Sequence, residues 1–276
     1  CISKINHTLT SIEAPTWFIS KLKELFQTFI WNGKPTRIKN RVLYNDYENG
    51  GLRMTDIQSY IDAQLASWSK RLLQNRDSVP FEYISSLIHM SIIDLLKCNF
   101  DSKNFPKEFP EFYKSVFSSW FKLKVEPHTK EDILREVIRQ NKDIKIKNIS
   151  LFVKPLYEKG LVYIHDIVDT NGNFIAYESL VNKFGNHLKH YDYLCIKNSI
   201  PQKWCKLLKQ PPKSHAQPHE EDVFITIGKE DKPVQCVTSK ILYWKILSKQ
   251  MITPNCIKAW FDRYYLEFST WKWKYI

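Results

Sequence analysis

Glycine is scarce, seven residues among 276. So little free backbone leaves few of the tight turns that a sandwich or barrel would need. No apolar run approaches the roughly 20 residues of a membrane-spanning helix, so no membrane partner is expected. The six cysteines (Cys1, Cys98, Cys195, Cys205, Cys236, Cys256) form no Cys-x-x-Cys pair. A chain that is 43% hydrophobic does not need covalent staples, so reduced thiols and an intracellular setting are expected. Gly-rich phosphate loops, Gly-x-Ser-x-Gly and a credible Cys/His nucleophile pair are all missing. There is no internal repeat and no visible signal peptide. The first residue is Cys rather than Met, and the chain reads as a piece of something longer.

What the chain does have is aromatic mass and positive charge. Nine Trp, 14 Tyr and 16 Phe favour bulky helix packing, and rule out a disordered chain. The net charge of +12 favours a polyanionic partner, nucleic acid or anionic lipid. The surplus is uneven. Residues 1–76 hold 11 basic and 6 acidic side chains and residues 148–219 hold 9 and 5, whereas residues 77–147 are nearly balanced at 12 and 11. Two separate contact regions are therefore expected.

The first lies within Phe29–Trp68. Phe18, Leu22, Leu25, Phe26, Phe29 and Ile30 make the apolar stripe of a helix that starts near Pro15, with Gly33 as its C-terminal cap residue. Between Trp31 and Asn45 come Lys34, Arg37, Lys39 and Arg41, with no acid among them. A turn at Glu48-Asn49-Gly50-Gly51-Leu52 leads to a helix capped by Thr55 or Asp56. Its apolar positions are Ile57, Tyr60, Ile61, Leu65, Trp68 and Leu72, and it runs to about Asn75. Trp31 either plugs the core or stacks on a base; ending an amphipathic helix favours the core. Gly50 and Gly51 most simply supply a positive-φ turn, with close approach of nucleic acid as the alternative. Lys70 and Arg71 near a helix end either contact phosphate or complement the dipole.

Further along, helices are expected over 80–98 (broken in the middle), from Pro110 through Phe121, over 131–139 behind a Thr129 cap, and over 150–160. Others should cover 177–184, 191–208 (split at Pro201), about 238–250 and 254–267. Asp169-Thr170-Asn171-Gly172-Asn173 signals a turn. Residues 210–221 read as a linker, and 223–227 is the one clear strand candidate. The fold class is mainly α: two helical subdomains with at most a short β element near 223–227.

The words Phe29-Ile30-Trp31-Asn32-Gly33-Lys34-Pro35, Arg37-Ile38-Lys39 and Glu48-x-Gly50-Gly51-Leu52-x-Met54-x-Asp56-Ile57, in that order and spacing, resemble the segment after the palm of LINE-type (non-LTR) retrotransposon reverse transcriptases. Leu156-Tyr157-Glu158-Lys159-Gly160-Leu161, with Asn173-Phe174 and Tyr177-Glu178-Ser179-Leu180, looks like a second block. Residues 239–260 look like a third. Tyr157 stands where the family has Trp, and the 191–200 helix lacks the Arg-His pairing often seen there. The resemblance implies a thumb-like segment with a basic loop (1–76), a helical connector (77–147) and a wrist-like domain (148–276). It further implies contacts with template RNA, RNA–DNA or DNA duplex, and with upstream palm and fingers of the same polypeptide, in a cytoplasmic or nuclear ribonucleoprotein.

The family's aromatic-small-Asp-Asp word, whose carboxylates hold catalytic Mg²⁺, is absent. Glu131-Asp132, Glu220-Glu221-Asp222 and Glu230-Asp231 read as solvated charge. No cofactor and no activity of its own are therefore expected for this stretch; Mg²⁺ would belong to an upstream palm. Cys195, Cys205, His215 and His219 fail the close cysteine spacing of a zinc site. His165 and Asp166 read as cap or surface residues. Lys203, Lys206 and Lys209 recur every third residue with no acid between Asp192 and Glu220, and make either a phosphate-binding stripe or a solvated face. A helical protein-interaction scaffold and a decayed or domesticated element remnant are the rival readings.

Overall fold

The computed structural model describes residues 14–35, 38–151, 154–185, 187–211, 223–228 and 230–252, with positions 12 and 254. The fold is mainly α, with two small antiparallel hairpins among the described residues. The chain forms two compact units, one from residues 1–68 with 237–276, the other from 69–236.

In the first unit, helix Thr16–Trp31 begins after Pro15, whose carbonyl accepts from the Phe18 and Ile19 amides. It ends with Asn32 in the left-handed region (φ 49°), followed by Gly33 (φ 75°), whose amide reaches the Thr28 carbonyl at 2.9 Å. Asn32 thus takes the cap position expected of Gly33; a short polar side chain tolerates that conformation. The expected apolar stripe is not buried as a whole. Ile19 is the helix's one buried residue, and Leu25 and Phe29 are exposed.

Past a short helix, Asn40–Leu43, helix Ile57–Ala66 buries Ile57, Ile61, Ala63, Leu65 and Ala66. It packs against Ser239–Ser248, which buries Leu242, Ile246 and Leu247. Ser67 breaks the single helix expected from Asp56 to Asn75, and a second segment runs Trp68–Gln74. The helix expected at 254–267 lies outside the described residues.

In the second unit, Val79–Ile88 and Ile92–Lys97 are separated where expected, at His89 (φ 49°). Arg139, 1% exposed, donates from its guanidinium to the Ile88 and His89 carbonyls at that break. This shortens the helix expected over 131–139: Thr129 caps only Lys130–Leu134, through a reciprocal bond with Asp132. Beyond it Val137 forms a β-bridge with Tyr163, and the Ile138 N–H donates to the Val162 carbonyl at 2.9 Å.

Helix Glu111–Phe121 buries Val116, Phe117, Trp120 and Phe121, and Phe105 stacks on Phe109 against it. The start of the expected 150–160 helix is instead a strand. Lys145–Ile146 and Ile149–Ser150 form a hairpin around Lys147 (φ 48°) and Asn148 (φ 68°), leaving the helix only Lys154–Glu158. The strand expected at 223–227 is Phe224–Ile227, paired with Glu230–Pro233.

A polar cluster lies beneath these elements. Glu136 accepts from Asn141 Nδ2 at 2.9 Å, and the Lys124 ammonium donates to the Lys97 carbonyl. Burial pushes the Glu136 carboxyl up to about 7, opposed by the charge of Lys124 and the Asn141 hydrogen bond. Burial also pulls the Lys124 ammonium down. An unfolded glutamate titrates near 4.5, so between 4.5 and about 7 the folded state holds a proton that the unfolded state has lost. The resulting stabilisation is complete below 4.5 and is lost as pH rises through 7. Melting temperature should therefore fall between pH 5.5 and about 8 more steeply in the wild type than in Glu136→Gln, which keeps an acceptor for Asn141 but cannot ionise. Parallel pH profiles of the two proteins would contradict this.

Candidate nucleic-acid interface

The acid-free run ends on the short helix Asn40–Leu43, which carries Arg41 and leads into a buried base. Val42, Leu43, Tyr44 and Asn45 are all buried directly after Lys39 and Arg41, so the cations project from a segment that is anchored. The Leu43 carbonyl accepts from the Leu52 and Met54 amides at 3.0 and 3.1 Å, closing the turn over Asp46–Gly51. Asn45 Nδ2 donates to the carbonyls of Asn49 at 3.3 Å and Ile252 at 2.8 Å.

Gly50 has the expected positive φ, 72°. Gly51 does not. Its requirement is space, since a β-carbon there would lie 2.1 Å from the Asn45 carbonyl oxygen. The close approach at Gly51 is made by the chain's own backbone.

Asp56 ties this base together. Its carboxylate accepts from the Ser59 amide at 2.9 Å and Ser59 Oγ at 2.7 Å, capping helix Ile57–Ala66. Lys23 Nζ, from helix Thr16–Trp31, lies 3.8 Å away. The Tyr44 hydroxyl bonds the same carboxylate; burial and this charge push its ionisation well up. The Asp56 amide donates to Tyr243 Oη at 3.2 Å, reaching helix Ser239–Ser248.

Lys34, Lys39 and Arg41 are exposed, and among the described residues no carboxylate pairs with them. Arg37 lies outside the described residues. Trp31 is half-buried, with its indole N–H enclosed and without a hydrogen-bond partner among the described residues. Arg53 adds a cation that the sequence reading did not single out. Left-handed (φ 51°) and exposed, it pairs with Asp46 at 2.8 Å and lies over the Tyr47 ring.

The second region belongs to the other unit, as do Lys70 and Arg71 on helix Trp68–Gln74. Helix Gln202–Leu208 is seated by Trp204 and Leu208, both in the unit's core, which leaves Lys203, Lys206 and Lys209 exposed. The Asp169–Asn173 turn packs against its C-terminal end. A β-carbon on Gly172 (φ 83°) would lie 2.0 Å from the Leu208 carbonyl oxygen. Lys130, buried, holds the same turn by donating to the Thr170 carbonyl at 2.8 Å.

The three lysines do not stand alike. Lys203 pairs with Glu126 at 2.8 Å, and this bond holds the Glu126 carboxyl below its ordinary range. Glu126 lies 77 positions away, and nothing in the sequence near either residue announces the pair. Lys197 sits over the Phe174 and Tyr193 rings. Of the sequence candidates, the structure brings Lys34, Lys39, Arg41, Gly50 and Gly51 into one unit, and Lys70, Arg71, Lys203, Lys206 and Lys209 into the other.

Among the described residues there is no cluster of three or more His, Cys, Asp or Glu side chains able to hold a metal ion. Cys98, Cys195, Cys205 and Cys236 are free thiols; His215 and His219 lie outside the described residues. Asp166 caps its own turn, accepting from the Val162 and Tyr163 amides at 3.0 and 2.9 Å, with His165 Nε2 3.7 Å from it. No described helix is long and apolar enough to cross a membrane. No protein-family model matches the chain, and no curated protein matches it.

Proposed function

We propose that this chain is the non-catalytic, C-terminal thumb-and-wrist part of a LINE-type reverse transcriptase. In that role it holds template RNA and the RNA–DNA duplex while an upstream palm, carrying the Mg²⁺ carboxylates, extends a primer at nicked target DNA. The observation that carries the reading is the acid-free run Lys34, Lys39 and Arg41, exposed on a base fixed by Val42–Asn45 and Asp56. The same stretch bears the ordered sequence words of that family. Cations on a rigid support meet phosphates at fixed spacing without reading bases, which suits a grip on nucleic acid of any sequence.

A second reading, a helical protein-interaction scaffold, draws on the exposed Trp17, Leu25 and Phe29 of the first helix. Salt separates the two, because phosphate contacts release counterions and an apolar protein interface does not. Charge reversal of Arg37, Lys39 and Arg41 together is expected to weaken RNA binding and to reduce the slope of log K against log salt by about 2, at roughly 0.7 per lost single-strand contact. Fluorescence anisotropy across a salt series measures both. Unchanged affinity and slope would remove the loop from the interface.

A further inference from the structure

Helix Thr16–Trp31 turns a row of large side chains outward. Trp17 is 70% exposed, Leu25 55% and Phe29 84%, and with Lys21 they recur every fourth residue. Each step of four residues advances only about 40° around the axis, so neighbours in the row adjoin. The row winds by about 120° from Trp17 to Phe29 over about 18 Å. The row is apolar except for Lys21, which pairs with Glu24 at 2.9 Å. Exposed apolar side chains grouped along a helix mark a binding face rather than a folding element.

The row's occupant is constrained by what adjoins it. In sequence the helix leads directly into Lys34, Lys39 and Arg41, exposed and without a paired carboxylate among the described residues. A partner for both features must be apolar and flat along the helix and anionic along the loop. A single nucleic-acid strand is both at once, since its bases present π-faces and its backbone presents phosphates. A duplex keeps its base faces stacked inside and offers the row nothing.

We infer that Trp17 and Phe29 stack unpaired bases of single-stranded RNA whose phosphates meet Lys34, Lys39 and Arg41. This inference rests on the reading of that loop as a phosphate contact. It makes the first unit selective for the strand before it is copied, over the duplex behind it.

The test uses the full 276-residue chain, a labelled single-stranded oligoadenylate and a blunt RNA duplex of equal length. Trp17→Ala and Phe29→Ala should each weaken oligoadenylate binding about tenfold, leave its salt slope unchanged and leave duplex affinity unchanged. Trp17→Phe and Phe29→Tyr should restore binding, because a ring is what the base requires. Both positions are exposed, so the substitutions are not expected to disturb the fold. If the alanine variants bind oligoadenylate normally while the triple charge reversal does not, the stacking inference fails and the loop reading stands. Equal losses on strand and duplex would overturn the selectivity. A changed sedimentation coefficient with unchanged RNA affinity would make the row a protein seam instead. If the charge reversal is itself silent, the loop reading falls first and takes the inference with it.

Discussion

Gly172→Ala is expected to lower the stability of the second unit by about 3–5 kcal/mol. Two costs add at this position. The backbone is left-handed at φ 83°, which penalises any β-carbon, and that β-carbon would lie 2.0 Å from the Leu208 carbonyl oxygen. A backbone carbonyl cannot swing aside as a flexible side chain can, so the turn and the end of helix Gln202–Leu208 must separate. Gly160 supplies the control. Its φ is 89°, but nothing lies within 4 Å of a β-carbon there. Gly160→Ala should therefore cost only the conformational part, about 1–2 kcal/mol. Urea denaturation of the two variants isolates the steric part by difference. Equal destabilisation would mean that the Leu208 contact contributes nothing.

Asp56→Ala is expected to cost the first unit about 3 kcal/mol. The lost helix cap accounts for roughly 1 kcal/mol. The remainder comes from stranding buried donors: Ser59 Oγ, 2.7 Å from the carboxylate, and the Tyr44 hydroxyl lose their shared acceptor. Asp56→Asn keeps an acceptor at the cap and should cost markedly less, about 1 kcal/mol. Denaturation midpoints of both variants check this ordering, and an alanine variant within 0.5 kcal/mol of wild type, roughly the scatter of neutral surface substitutions, would remove Asp56 from its central place.

Local chemistry was legible in the sequence and long-range chemistry was not. The Asp56 and Thr129 caps, the break between 88 and 92, the split at Pro201 and the Asp169–Asn173 turn all follow from rules acting within a few residues. The helix expected to reach Arg139 stops at Leu134 because that guanidinium is drawn under a distant helix end, to carbonyls 50 and 51 positions away. The 145–150 hairpin went unseen because Lys147 and Asn148 hold positive φ without glycine, on strands only two residues long.

The candidate interface divides in the same way. Its cations could be read from composition, but the partnership of Lys203 with Glu126 and the outward turn of Phe29 depend on tertiary packing. The Gly-Gly-Leu-x-Met-x-Asp-Ile word acquires a physical explanation of its own. Gly50 turns the chain, Gly51 makes room for Asn45, Asp56 gathers four segments and Ile57 is buried. These residues build the platform, and the cations beside them meet the solvent.

The hydrogen bond from Asn45 to the Ile252 carbonyl spans 207 positions, and Tyr243 reaches Asp56 across 187. A ribosome adding about 5–20 residues per second needs on the order of 10–40 s to bring the later partner out after the earlier one. The platform under the cationic loop therefore cannot lock when the loop is made. The stretch inserted between its halves can assemble first, and the platform is locked last, once Tyr243 and Ile252 have left the ribosome.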